Sequence, residues 1–386
     1  MSPRFDLDHA AGGRPRREVI AALTEWLGCD AANPSSQHAS GRLARDAVEE
    51  AREEVARLVG AEPAAVVFTS GGTEANALAL AGSLRACDHA VATTIEHASV
   101  LRTLEDLARR GVDVTWLAPD AHGRIAPGAL RECVRPETRL VSIGWANGEI
   151  GTVQPVGDLA AAAREVAEDV RFHSDAVQAA GLLEIDFASS AVDLLSLSGH
   201  KLGALPGTGA LVVRRGVEIE PQIHGGPQER GRRAGTENVP GIVAFGVAAR
   251  LARVERSEVA ARAARVKDRL WRAFQAAAPV VRIDPEDALP GTLSVSFPGL
   301  RGDALVVALD LEGVAVSTGS ACAAGAPEPS HVLRAIGCDE DVARGALRLS
   351  FGPSFDEESA DAAAARIVGV IARARGGRLG ARERAA

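Results

Sequence analysis

Apolar positions along this chain change their period several times, and each change marks an element. Glu18 to Leu27 and a longer stretch from about Gly41 to Val59 carry apolar residues at helical spacing, with Asn33-Pro34-Ser35-Ser36 as a turn or cap between them. From residue 65 the texture becomes an alternation of short apolar runs with helical segments. Ala65 to Phe68, Ala90 to Thr93, Val112 to Leu117, Arg139 to Ile143, Val170 to His173, Val192 to Leu197 and Gly209 to Val213 read as strands. Helices are predicted from the Ser70-Gly71-Gly72-Thr73 turn through Ala81, over Ser99 to Arg110, and over Val156 to Glu168. Strands alternating with helices at this spacing predict an α/β fold, with a mostly parallel seven-stranded sheet covered on both faces.

After Pro240 the pattern changes. Gly241 to Ala277 is rich in Ala and Arg at helical spacing and predicts one or two long helices leading out of the first domain. Beyond it, short strands are predicted at Thr292 to Phe297, Val314 to Ser317 and Ala346 to Phe351, with helices at Asp303 to Leu311, Ser330 to Ile336 and Glu357 to Arg373. These make a smaller α+β domain. A chain of 386 residues exceeds what one hydrophobic core usually covers. The expected division is a large domain over 15–255 and a small domain formed by 1–14 and 256–386. Residues 1–14 read as an extended arm, because Gly12, Gly13 and Pro15 block regular structure, and the tail from Gly376 is expected to fray.

Composition narrows the function classes. Apolar content of 46% and charged content of 24% are those of an ordinary globular protein, and no apolar run approaches the roughly 18 residues of a membrane span. Met1 to Arg17 carries Asp6 and Asp8 and few apolar residues, so it reads as neither a signal nor a transit peptide, and a cytoplasmic location is expected. A formal net charge of −8 argues against nucleic acid as the main partner. Five cysteines without metal-ligand spacing suggest reduced thiols and no metal site.

The candidate chemistry centres on Ser196 to Gly203. Of 43 basic residues only Lys201 and Lys267 are lysine; the rest are arginine. An amine can lose its proton and condense with a carbonyl, whereas a guanidinium cannot, so a lysine retained just beyond a buried strand is a candidate nucleophile. Other strands lead to further chemistry at the same sheet edge. Ser70-Gly71-Gly72-Thr73 is a strand-to-helix turn whose backbone N–H groups suit one phosphate. His97, Asn147 and Asp175 each follow a predicted strand, and Gln178 stands three residues after Asp175. A phosphate seat, a planar-ring partner, an acid, polar donors and a condensing amine form a set that pyridoxal phosphate requires. A carboxylate at Asp175 would hold a proton on its pyridine nitrogen.

These residues also lie in motifs with a family likeness. Asn33-Pro34-Ser35-Ser36 with His38, Thr69 to Glu74, Glu96-His97, Asn147-Gly148-Glu149-Ile150-Gly151, His173 to Gln178, Ser198-Gly199-His200-Lys201, Glu229 to Thr236, Ser317 to Cys322 and Arg348 occur in order from Asp8 to about Gly352. With them the chain resembles the NifS/IscS-like cysteine desulfurases, pyridoxal-phosphate enzymes of the class V aminotransferase group with the type I PLP-dependent transferase fold. The resemblance implies that Lys201 carries the cofactor's aldehyde, Asp175 pairs with its ring nitrogen, and His97 lies over the ring and shuttles protons. It implies that Gln178 and Asn147 contact the phenolic oxygen, and that Gly72, Thr73, Ser198 and His200 hold the phosphate, joined by Thr236 from the other subunit of a homodimer. Asn33 and Arg348 would bind the carboxylate of L-cysteine.

Cys322 would take the sulfur as a persulfide for a sulfur-acceptor protein. It stands in Ser320-Ala321-Cys322-Ala323-Ala324-Gly325-Ala326, small residues that leave a loop free to swing, and the other four cysteines read as inert. The chain departs from its relatives at Ala11-Gly12-Gly13, where hydroxyl residues are usual, at Gly148, where a second asparagine is common, and in a shorter tail. Housekeeping members use that tail to dock an iron-sulfur scaffold, so the acceptor stays open. The rival readings are a selenocysteine lyase or other class V aminotransferase, and a non-catalytic sulfur-relay subunit. Intact Lys201 and Cys322 speak against the last.

Overall fold

A computed structural model of the protein describes residues 4–319 and 330–382. The chain opens with strand β1 (Phe5–Asp6) and helices α1 (Arg17–Leu27) and α2 (Ala39–Leu58). Next come β2 (Val66–Thr69), α3 (Gly72–Ala81), β3 (His89–Thr93), α4 (Ala98–Arg109), β4 (Asp113–Leu117), α5 (Pro127–Cys133) and β5 (Thr138–Ser142). The large sheet is completed through α6 (Val156–Val166), β6 (Arg171–Asp175), β7 (Leu194–Ser198) and β8 (Gly209–Val213). A long helix, α7 (Val239–Ala277), leads to β9 (Val281–Arg282), β10 (Thr292–Ser296), α8 (Gly302–Leu311), β11 (Val314–Ala315), α9 (His331–Ala335), α10 (Glu340–Arg344), β12 (Ala346–Ser350) and α11 (Glu357–Arg382).

The seven-stranded sheet has the order β2-β8-β7-β6-β5-β3-β4, and every neighbouring pair is parallel except those made by β8. Both faces are covered, which is why the strands read as continuous apolar runs. The two faces alternate along each strand: Val66, Phe68, Val91 and Val212 enter one core with α2, α6 and the first half of α7, whereas Val67, Ala90, Ala92 and Leu211 face α3 and α4. A separate core holds Phe5, Leu7, Phe274, Leu293, Leu349 and Ile367 around the antiparallel sheet β12-β10-β9. Helix α7 gives Ala252 to the first core and Ala263 to the second. Strand β1 pairs in parallel with β11, so the arm begins inside the small-domain core.

Two features depart from the sequence expectations. Helices α5 and α10 and strand β9 are too short for a period to show. The stretch after Pro240 is one helix of 39 residues, within the expected one or two. The tail does not fray at Gly376, because α11 runs to Arg382. Buried Ala363, Ala364, Ile367 and Ile371 anchor that helix, and Ala372 to Arg375 extend it before Gly376 and Gly377, which are poor helix formers. Among the described residues no helix is long and apolar enough to cross a membrane.

The edge strand β2 is closed by an ion pair. Arg52 and Glu229 are both buried and meet through two hydrogen bonds, Nη1 to Oε2 at 2.8 Å and Nη2 to Oε1 at 2.9 Å. Glu229 also accepts from the Phe68 N–H at 2.9 Å, and Arg52 donates to the Val66 carbonyl at 2.9 Å, so the outward-facing groups of β2 are satisfied. Glu229 sits at φ 49°, a left-handed conformation that this pairing sustains. Glu229→Ala should therefore cost about 3–5 kcal/mol, because it leaves a buried guanidinium unpaired. Urea unfolding at neutral pH checks this, and a loss under about 1 kcal/mol would show that the pair is no more than a surface bridge.

Candidate active site

Each group of the site stands where a strand of the large sheet ends. Strand β2 turns through Ser70 and Gly71 into α3, whose first residues are Gly72 and Thr73. A side chain at Gly72 would collide with Val177 Cγ2 at 2.9 Å and approach Ser198 Cβ at 3.4 Å, so glycine keeps the helix start open as a cradle. Ser198 ends β7 and shares a hydrogen bond of 2.8 Å between its Oγ and His200 Nδ1. Burial, then Lys201 and His9 nearby, lowers His200 to about 4, so its ring is neutral near pH 7. Glu74, in the first turn of α3, would repel an anion at this helix start. It is held aside by the Ser70 N–H at 2.7 Å and by Arg233 Nε at 2.9 Å.

Lys201 lies in a short 3-10 turn after β7, and its Nζ donates to the Ala10 carbonyl. Gln178 Nε2 donates to that same carbonyl at 3.1 Å. The amide of the Ala10 residue in turn donates to Ser350 Oγ at 2.8 Å, so the arm ties the amine to β12. Gly148 leaves no room for a side chain, since a Cβ there would meet Gln178 Cγ at 2.9 Å. The departure at that position is thus filled by Gln178. Asn147 spends its side chain on the loop around it: Nδ2 donates to the Ile95 carbonyl at 2.9 Å, and Oδ1 accepts from the N–H groups of Glu149 and Ile150.

Asp175, at the end of β6, accepts from the Val177 N–H at 2.9 Å and from Asn76 Nδ2 at 2.7 Å. Asn76 is fully buried, and the same Nδ2 donates to Ser99 Oγ at 2.8 Å. Ser99 Oγ, having accepted that hydrogen, lies 2.7 Å from His97 Nδ1 and donates its own to it. His97 Nδ1 also accepts from the Ser99 N–H at 3.1 Å. With two donors aimed at Nδ1, the neutral ring keeps its proton on Nε2. One line of hydrogen bonds therefore runs from the acid to the histidine.

Arg348 is buried on β12. Its Nη1 donates to the carbonyls of Gly148 and Gly319, both at 3.1 Å, and Nη2 pairs with Asp8 Oδ1 at 2.7 Å. Two further carboxyls line the cavity. Burial raises Glu96 to about 7 against the Thr93 hydroxyl and the Gly144 N–H, with Asp175 adding to the rise. Burial likewise raises Glu149 to about 7 against a hydrogen bond from Ser330 and the charge of Arg348.

These residues enclose one cavity of about 380 Å³, lined among others by Gly72, Thr73, Asn76, His97, Asn147, Asp175, Gln178, Ser198, His200, Lys201 and Arg348. Asn33 and Thr236 do not line it. Asn33 is exposed in its turn, where Oδ1 accepts from the Ser35 N–H at 2.9 Å, and Thr236 is exposed beyond the turn pinned by Glu229. Cys322 lies outside the described residues. Sequence reasoning missed Asn76 and Ser99 and gave no role to Glu96 or Glu149. The signal for Asn76 was present: it is the lone amide in Ala75-Asn76-Ala77-Leu78-Ala79-Leu80, one helical turn after Gly72.

The chain belongs to the class V aminotransferase family, whose profile matches residues 6–362. Members of this family are generally pyridoxal-phosphate enzymes. The chain is 42% identical to the IscS-like cysteine desulfurase of Mycobacterium tuberculosis over 391 aligned residues, covering 97% of this chain and 98% of that one. Among solved structures it resembles a NifS-like protein with a TM-score of 0.90 at 35% identity, covering 96% of this chain and all of the other. It also resembles SspA in complex with cysteine, with a TM-score of 0.80 at 36% identity over 91% of this chain and 99% of that one. The seven-stranded sheet and its smaller companion are thus the type I fold of PLP-dependent enzymes.

The buried acids make a pH prediction. A carboxyl near 7 in the folded chain and 4.5 when unfolded binds its proton more tightly when folded, so its contribution to stability falls as pH rises between those values. Glu149→Gln carries no such proton. Relative to the parent, its stability should rise by on the order of 2–3 kcal/mol from pH 4.5 to pH 7. Urea unfolding at both ends of that window reads it, and an unchanged difference would refute the assignment.

Proposed function

We propose that the chain is a cysteine desulfurase that uses pyridoxal phosphate to remove sulfur from L-cysteine, releasing L-alanine and leaving a persulfide on Cys322. The observation that carries this reading is the convergence, in one cavity, of a half-buried lysine amine, a braced carboxylate, a helix-start cradle and a buried arginine. The donor set fits the cofactor: the space at Gly72, flanked by Ser198 and neutral His200, suits a phosphate, and Asp175 is held by two donors for a ring nitrogen. When bound, pyridoxal phosphate supplies an aldehyde for the substrate amine and a ring that withdraws electrons.

The protein's own residues do the rest. Lys201 would hold the cofactor and then accept or return a proton at Nζ. Asp175 would keep a proton on the pyridine nitrogen, while Asn76 fixes the direction of its carboxylate. His97, with its proton on Nε2, would serve as the donor facing the cavity. Gln178 and the remaining hydrogen of Asn147 Nδ2 would contact the phenolic oxygen. Arg348 would bind the substrate carboxylate. Cys322, as thiolate, would attack the substrate sulfur: an S–S bond forms, the C–S bond breaks, and carbon takes up a proton to give alanine. The resemblance to SspA in complex with cysteine supports that substrate.

We also propose a homodimer in which Thr236 joins the neighbour's phosphate seat. Its exposure, outside its own cavity, supports this. So do Ile20, Leu27, Leu43 and Val254, which are exposed apolar residues on α1, α2 and α7.

Cys322→Ala should retain cofactor absorbance and still change spectrum on adding cysteine, yet lose sulfide and protein persulfide by roughly three orders of magnitude or more. Mass spectrometry after one turnover should find one added sulfur on Cys322 of the parent. Normal sulfide release from the variant would move the function to a lyase that uses no protein thiol. For the dimer, Lys201→Ala and Thr236→Ala chains, each impaired alone, should recover activity when mixed, because one site of the hybrid carries neither change. A monomer that turns over would sink that assembly.

A further inference from the structure

We propose that Asp8 is a resident carboxylate on Arg348 that the substrate carboxylate must replace, and that this exchange sets how weakly the site holds amino acids. The proposal rests on the reading of Arg348 as the substrate-carboxylate residue.

Arg348 cannot move to meet a ligand. It is 5% exposed, it stands within β12, and its Nη1 is committed to the Gly148 and Gly319 carbonyls. What remains for a ligand is the edge formed by Nε and Nη2. A guanidinium reads a carboxylate through two parallel N–H groups, and Nε with Nη2 is one such pair. Asp8 engages only half of it: Oδ1 lies 2.7 Å from Nη2, while Nε is buried with no hydrogen-bond partner among the described residues. A buried donor left unpaired is costly, and the residue that carries it lines the cavity. A ligand carboxylate spanning both N–H groups satisfies it; Asp8 does not.

Two carboxylates cannot share this edge without strong repulsion at low dielectric. The exposures decide which gives way. The Asp8 side chain is 27% exposed against 6% for Arg348, and Arg348 is the only hydrogen-bond partner of the Asp8 carboxylate among the described residues. Asp8 can turn into water without moving the arm, since its backbone is bridged to Ser350 and its carbonyl accepts from the Ala11 N–H at 3.0 Å. Arg348 then passes from one carboxylate to another and is never left bare. Reactant and product carry the same carboxylate, so Asp8 weakens both equally and favours release of alanine once the sulfur has gone.

The test uses holoenzyme and L-alanine, the unreactive product, titrated by calorimetry beside steady-state kinetics with L-cysteine. Asp8→Asn removes the competing charge and keeps the shape. It should tighten L-alanine about tenfold and lower KM for L-cysteine by a similar factor, with kcat within about twofold. Unchanged or weaker L-alanine binding by Asp8→Asn, with binding lost in Arg348→Gln, overturns the exchange alone and makes Asp8 a support for the arginine. L-alanine bound equally by the parent and by Arg348→Gln overturns the reading of Arg348, and the exchange with it. If Asp8→Asn does not fold, crystals of the parent holoenzyme with L-alanine decide. A ligand carboxylate on Nε and Nη2 with Asp8 turned away supports the exchange, and Asp8 still bonded to Nη2 overturns it.

Discussion

The common direction of β3, β5, β6 and β7 is the constraint on which this site depends. A parallel sheet covered on both faces exposes its strands only at their ends, so the loops at one end must carry whatever chemistry the domain has. His97, Asn147, Asp175 and Lys201 each stand at or just beyond the end of one of these four strands, and register sets their spacing. Pairing of Asp175 with Ser196 across β6 and β7 places the acid two residues from the strand end that leads to Lys201. Strand β8, antiparallel to both neighbours, brings β2 beside the set and so places the Gly72 cradle at the same edge. The Arg52–Glu229 pair then closes the outer side of β2.

The opposite wall of the cavity comes from the small domain, and the arm is the link. Phe5 and Leu7 are buried in the small-domain core, and a turn three residues after Leu7 delivers the Ala10 carbonyl to Lys201 and Gln178. Asp8 lies between these anchors, against Arg348. The electrostatics are economical: burial raises Glu96 and Glu149 well above the ordinary carboxylate range and keeps His200 neutral, so the positive charges of Lys201 and Arg348 are not cancelled by every carboxyl around them. A domain movement that shifted the arm by an ångström would be felt at the amine directly.

The sheet, its strand count and the groups at its edge were legible in the sequence because each signal is local. A covered strand needs an apolar run, and a cradle needs glycine at a helix start. Asn76 and Ser99 were not legible in that way. Their roles depend on α3 and α4 packing side by side, a contact between segments 23 residues apart that no local pattern encodes. Arg348 was placed by its strand, but its partner Asp8, 340 residues away, becomes visible only once β1 is seated on β11. Asn33 lies outside the cavity of its own chain, so a motif in the right order does not by itself place a side chain there.

The two lysines do different work. Lys267 is buried on α7, 2.8 Å from Asp284 Oδ2, and donates to the Leu289 carbonyl at 3.3 Å. Arg282 already holds the same Asp284 oxygen at 2.9 Å, so the remaining space favours a compact ammonium over a second planar guanidinium. Leu289 donates in turn to the Gly151 carbonyl at 2.7 Å, in the loop that carries Asn147 and Glu149. Lys267 is therefore kept for its shape and braces the small domain against the active-site loop. Lys201 stands in a half-buried position at the sheet edge, where its Nζ reaches the Ala10 carbonyl. What it brings there is the property that separates lysine from arginine chemically, an amine that can give up its proton.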